Sequence, residues 1–329
     1  MLRRVATAPA EEDSTVTEPV DSDEPLLPNE TDELAHPAPG DALWNESWYF
    51  DFADPAAGIG GWIRLGWYPN EGQAWVNGLI CGPGRPTVAL NDFRAAVPND
   101  PNNTQASGIT LSHHAIEPLR SYRVVMHGQG RSFDDPAELL RDGDGSPVPV
   151  SIDLVWSTAG RPYRYRLATR YEIPCTVSGT VTVGERSYDV KAAAGQRDHS
   201  WGVRDWWSMD WVWSAIHLDD GTHLHAVEVR IPGLDPVALG YLQDPDGNLD
   251  ELRSVRATED FRPDGLPAGA HVSVQPGDLE VDVTPVGHAP VRLVADDGRV
   301  AEFPRAWVTV TTGDGRRGVG WMEWNRNRR

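Results

Sequence analysis

The stretch from Gly195 to His225, GQRDHSWGVRDWWSMDWVWSAIHLDDGTHLH, concentrates the residue types that do chemistry. It holds Trp201, Trp206, Trp207, Trp211 and Trp213, five of the chain's fourteen tryptophans. It also holds His199, His217, His223 and His225, four of the ten histidines, with Asp198, Asp205 and Asp210 among them. Indole rings grip apolar ligands, while imidazoles and carboxylates beside them move protons. Residues of these types, so close together, point to a hydrophobic ligand held next to acid–base groups.

Strand parity sorts them. If residues 209–217 form a strand, Met209, Trp211, Trp213, Ala215 and His217 share one face. On the following strand His223 and His225 point the same way, with Val227 and Val229. Within the DHSWG segment, Asp198, Ser200 and Gly202 take one face and His199 and Trp201 the other. Set in a barrel, the first face would line the interior with indoles. The candidate catalytic residues are then His199, His223, His225 and Asp198. The candidate ligand-binding residues are Trp201, Trp207, Trp211, Trp213 and Trp324. A purely structural reading stands beside this one: the indoles are core, the histidines are hydrogen-bonded packing, and Asp198 and Asp205 pair with Arg197 and Arg204.

His223-x-His225 followed by Glu228 approaches the H-x-H…E spacing of metal-binding cupins. Only two residues intervene before the glutamate, however, and no metal is expected. A metal-dependent β-barrel enzyme is the third reading, behind a cofactor-free enzyme and a non-catalytic carrier. The chain contains no HExxH, GxSxG or GxxxxGK[ST], which removes the zinc-protease, α/β-hydrolase and P-loop readings. No cofactor is expected.

The elements that must position these groups are strands. Aromatic and β-branched runs, beginning at WYFDF (residues 48–52), recur about every ten residues between Gly, Pro, Asn and Asp turns. Pro69 to Gly72 and Pro245 to Asn248 are the clearest turns. No sustained 3.6-residue period appears, so the chain is read as all-β, a barrel or sandwich. A short helix is expected around residues 136–141. The Arg- and Tyr-rich segment 158–174 reads as a connector between two halves. The expected domains are an acidic, mostly disordered leader over 1–40, a β domain over 41–174 and a second over 175–329. The leader carries ten acidic residues and no Lys or Arg after Arg4, too polar to offset its ordering entropy, although residues 32–41 are expected to pack as an arm.

A net charge of -20 with no basic stripe argues against nucleic acid and against an anionic membrane surface. The two cysteines, Cys81 and Cys175, are too few for a disulfide framework. The N-terminus lacks the apolar run of a secretory signal, and no segment approaches the roughly 20 apolar residues of a membrane-spanning helix. The expectation is a cytoplasmic protein without an integral membrane segment; the oligomeric state is not legible.

At WNESWYFDF (residues 44–52) and GQRDHSWGVRDWW (residues 195–207) the chain resembles the AttH-like, hydroxyneurosporene synthase (carotenoid 1,2-hydratase) superfamily. It is most similar to bacterial members of unknown function sharing the RDHSWG motif. Tocopherol cyclase and the lipocalin-like Diels–Alderases are related in architecture. The resemblance spans residues 34–324 and implies two lipocalin-like antiparallel β barrels or half-barrels, side by side, with a ligand cavity. In the hydratase a His-x-Trp pair and a Tyr-x-Asp pair act in catalysis. His199-x-Trp201 matches the first; His223-x-His225 stands near the second with neither Tyr nor Asp. The resemblance thus implies an isoprenoid, steroid or polyketide-like ligand and hydratase/lyase or isomerase chemistry. Protonating an unactivated alkene needs a strong, dry acid, which suits a buried aspartate better than imidazolium.

Overall fold

The computed structural model describes residues 25–141 and 143–328. The expectation of a disordered leader falls mainly on residues 1–24 and lies outside the described residues. As the strand spacing predicts, the fold is almost entirely antiparallel β, in two sheets: a closed ring and a half-barrel.

The ring has eight strands. In order around it run Thr87–Ala95, Gln73–Cys81, Ile59–Tyr68, Trp44–Asp54, Arg186–Val203, Arg170–Val183, Ser146–Ser157 and Ser121–Phe133, and the last pairs back with the first. Two further strands, Asn103–Ala106 and Ile109–Glu117, extend it. Its interior is filled, as small barrels require: Trp48, Phe50, Phe52, Tyr122, Met126, Leu154, Trp156 and Tyr171 form one core. The strand Trp44–Asp54 is buried at every position, because its outer face is covered as well.

That cover is the second sheet, which runs Leu249–Glu251, Val237–Gln243, His223–Arg230, Asp210–Leu218, Arg317–Arg328, Arg305–Thr312, Leu279–His288, Pro267–Gln275, Ser254–Phe261. It curves around its own core of Val212, Ile216, Leu224, Val272, Val281, Val308 and Trp324. Its opposite face packs on the ring: Trp213, Ala215, Val227, Trp307 and Trp321 against Tyr49, Ala53, Trp62 and Leu79. Two indoles tie the sheets together. Trp62 Nε1 donates to the Ala289 carbonyl at 3.0 Å, and Trp321 Nε1 to that of Phe52 at 2.9 Å.

The division expected at 174/175 falls inside the strand Arg170–Val183, which pairs with Ser146–Ser157 on one side and Arg186–Val203 on the other. Without these two strands the ring would keep open edges. The chain changes sheet only at residues 204–209. The helix expected at 136–141 is a 3-10 turn, Pro136–Leu140, capped by the Asp135 side chain. An N-terminal arm does pack. A 3-10 turn, Glu30–Glu33, brings Glu33 onto Arg197 at 2.7 Å and onto the Leu119 amide at 2.9 Å, closing one end of the ring. Among the described residues no helix is long and apolar enough to cross a membrane.

Candidate functional site

A cavity of about 880 Å³ lies between the outer face of the ring and the facing side of the second sheet. From the ring come Ser47, Tyr49, Trp62, Arg64, Trp75, Asn77 and Phe93. From the second sheet come Trp211, Trp213, Val227, Val229, Leu239 and Arg305. The segments 164–170 and 203–206 and the hairpin residues Val291, Leu293 and Phe303 complete the wall. The indole face expected from parity is therefore present, but it borders the space between the sheets rather than the interior of a barrel.

The same parity divides the DHSW motif. His199 pairs with Trp48 and Arg197 with Phe50, so both face the packed interior of the ring. Asp198 pairs with Tyr49 and Ser200 with Ser47, so both face the cavity. One strand thus delivers its histidine and its aspartate to opposite sides.

Asp198 heads a buried polar network. Its Oδ2 accepts from Arg170 Nη2 at 2.7 Å, and Arg170 Nε also donates to Glu172 Oε1 at 2.8 Å. Glu172 is fully buried; it accepts from Gln196 Nε2 at 3.0 Å and from Trp213 Nε1 at 3.4 Å. The Tyr165 hydroxyl lies 3.2 Å from Glu172 Oε1 and 2.5 Å from His225 Nε2. His225 Nδ1 faces the Ser214 carbonyl at 3.1 Å. That contact requires the ring proton on Nδ1, leaving Nε2 to accept from Tyr165. Burial, reinforced by Arg170, holds the His225 imidazole well below its ordinary pKa, so the ring is neutral. Burial and then Glu172 keep the Tyr165 phenol well above its own. Burial pushes Asp198 up to about 7, against the pull of Arg170 and with the help of Glu172.

A second group stands across the cavity. Arg305 pairs with Glu323, Trp211 Nε1 donates to Glu323 Oε1 at 2.8 Å, and the guanidinium lies 4.5 Å and 4.3 Å from the ring centres of Tyr49 and Trp62. Arg64 and Arg204 line the end nearest Asp198; burial and the neighbouring Arg170 push Arg204 down to about 10.

Of the residues singled out in the sequence, Asp198, Trp201, Trp211 and Trp213 line the cavity. His225 stands one hydrogen bond behind it, through Tyr165. His199 stands apart. It lies inside the end of the ring, with Nδ1 2.7 Å from the Asp32 carbonyl, Nε2 2.8 Å from Glu46 Oε1, and its ring stacked on Trp48 at 4.6 Å. His223 is half-buried against His217, ring centres 4.6 Å apart, outside the cavity wall. Trp207 is half-buried with Arg299 4.7 Å from its ring centre, and Trp324 is sealed in the second sheet's own core. The three histidines do not meet in one chamber. Tyr165, Arg170 and Glu172 belong to the segment read as a connector; its density of Arg and Tyr was the available signal. Arg64, Arg305 and Glu323 carried none, being single charges within apolar strands.

His36, Glu46 and His199 bring three possible metal-ligand atoms together. One Glu46 oxygen lies 2.7 Å from His36 Nδ1 and 2.8 Å from His199 Nε2. These are hydrogen-bond distances, shorter than the spacing of ligands around a tetrahedral ion, and the cluster reads as the clasp of the N-terminal arm.

Two lipocalin-like β units enclosing a cavity define the class of protein. The comparisons agree in fold. The structure is similar over 91% of its length to 96% of a protein of Nitrosomonas europaea assigned to AttH, with a TM-score of 0.60 and 16% identity. It is similar over 93% of its length to 94% of kievitone hydratase from Nectria haematococca, with a TM-score of 0.56 and 9% identity. At these identities the likeness is one of fold. No curated protein matches the sequence. The chain belongs to the DUF7064 family, described as a domain of unknown function, over residues 29–328.

Proposed function

We propose that the cavity between the sheets binds a hydrophobic small molecule, isoprenoid, steroid or polyketide-like, and that the protein performs cofactor-free proton transfer on it: hydration, isomerisation or cyclisation. One observation carries this reading. Asp198 is a buried carboxyl group, with a pKa raised to about 7, on the wall of an indole-lined chamber. A carboxylic acid that keeps its proton near neutrality, away from bulk water, is suited to protonating a carbon–carbon double bond or an enol. Trp211 and Trp213 present apolar surface to the ligand, and their π faces stabilise positive charge developing on it. Tyr165 and His225 relay the released proton: Tyr165 accepts it from the attacking water or product as its own passes to His225 Nε2, and the reverse transfer through Tyr165 and a water molecule returns it to the carboxylate left on Asp198, so the protein neither gains nor loses a proton. In this scheme His199, inside the ring, and His223, outside the cavity wall, take no part in the proton path. The hydratase among the structural neighbours is compatible with this chemistry, and the buried thiols Cys81 and Cys175 suit a reducing, cytoplasmic setting.

The Arg170–Asp198 contact favours a second reading, a non-catalytic carrier, because an arginine-paired carboxylate is a common structural device. Native mass spectrometry of protein from its own organism would identify a co-purifying ligand. Conversion of that ligand by the wild type but not by Asp198→Asn supports the enzyme. Binding without conversion supports the carrier, and the absence of any apolar ligand counts against both.

A further inference from the structure

We propose that the ligand of this cavity carries a carboxylate and that Arg64 and Arg204 recognise it, an inference that rests on reading the cavity as a hydrophobic-ligand site. Six arginines line the chamber: Arg64, Arg164, Arg166, Arg170, Arg204 and Arg305. Four are matched by acids of the protein, Arg164 by Asp32, Arg166 by Glu251, Arg170 by Asp198 and Glu172, and Arg305 by Glu323. The other two are not. Arg64 donates only to the phenol oxygen of Tyr68, at 3.1 Å, and neither it nor the half-buried Arg204 forms an ion pair among the described residues, although both lie within electrostatic reach of Asp198, the partner of Arg170. Arg305, only 9% exposed, also leaves its Nη1 without a partner.

Holding the buried Arg64 guanidinium without an ion-pair partner of its own is costly, and an apolar side chain would fill the same space more stably. Arg64 is nonetheless held in a defined place. The guanidinium lies across Gly66, where a Cβ would meet Nη1 at 2.5 Å. It is held between indoles, 5.7 Å from the ring centre of Trp75 and 5.2 Å from that of Trp206. Two neighbouring planar forks at one end of a chamber, with apolar walls such as Phe93, Val229 and Leu239 beyond, match an amphipathic acid: a carboxylate between the guanidiniums and a hydrocarbon body against the indoles.

The test uses retinoic acid and retinol, which share a skeleton and differ in the carboxylate, with quenching of tryptophan emission in the full-length protein reading both affinities. Retinoic acid is expected to bind about tenfold or more tightly than retinol. That preference is expected to shrink to about twofold in Arg64→Gln and Arg204→Gln, and to persist in Arg204→Lys, which keeps the charge. Thermal unfolding identifies any variant that fails to fold; the wild-type ratio and the lysine variant then decide. Equal wild-type affinities, or a preference that survives both glutamine variants, overturn the carboxylate assignment and leave the hydrophobic site standing. Binding of neither probe overturns both.

Discussion

Replacing Asp198 with asparagine removes one titrating group and almost no volume, and its effect on stability has a definite sign. The aspartate titrates near 3.8 in an unfolded chain and near 7 in the native protein. Between those values the native state holds a proton that the unfolded state has lost, so wild-type stability falls as pH rises through this window. Below it both states are protonated and there is no effect; above it the whole penalty of a buried carboxylate is present. At about 1.4 kcal/mol per unit, the full window amounts to about 4 kcal/mol, and the span from pH 5 to 7, which flattens near the native pKa, to about 2 kcal/mol. The asparagine amide does not titrate, and every other group is common to both proteins. The stability of Asp198→Asn relative to wild type should therefore climb with pH from 5 to 7 and level off above 8. Losing the charge-assisted contact with Arg170 lowers the whole curve by roughly 1.5–3 kcal/mol without changing its slope. In thermal unfolding the midpoint difference should move by roughly 3–5 °C over that range. A difference that is flat, or that falls with pH, would show Asp198 to be an ordinary ion-paired carboxylate and would remove the acid from the proposed mechanism.

Three further outcomes are expected. Tyr165→Phe leaves Nε2 of the buried His225 without a donor, which should cost about 1–3 kcal/mol in chemical denaturation and slow turnover of any identified substrate more than it weakens binding; unchanged turnover would take Tyr165 and His225 out of the proton path. Glu33→Ala strands Arg197, whose side chain is 2% exposed, and should destabilise the protein by about 3–5 kcal/mol by the same assay; a loss under about 1 kcal/mol would mean that the arm is not a structural part of the ring. Trp211→Ala opens the cavity wall and frees Glu323 from its indole donor, so calorimetric titration should show apolar ligands binding at least about tenfold more weakly; unchanged affinity would place the ligand elsewhere.

The residues of this chain determine that it is β and which side chains share a face. Strand alternation is a property of the backbone itself. It sets Trp211 with Trp213 and separates Asp198 from His199 wherever the strands lie. The turn at residues 245–248 and the aromatic strand beginning the ring are equally local, and equally legible. What each face borders is not local. The indole face belongs to the space between the sheets because the ring must recruit Arg170–Val183 and Arg186–Val203 to close, which moves the change of sheet to residues 204–209. The same closure turns His199 into the ring and toward the arm, 167 residues away at Asp32, while a segment with the composition of a linker supplies Tyr165 and Arg170 to the cavity. Arg305 and Glu323 meet only because their strands are neighbours in the second sheet. Local alternation can be read from the sequence, but pairings between distant segments depend on how both sheets bury their outer faces against each other, and only the tertiary structure resolves that.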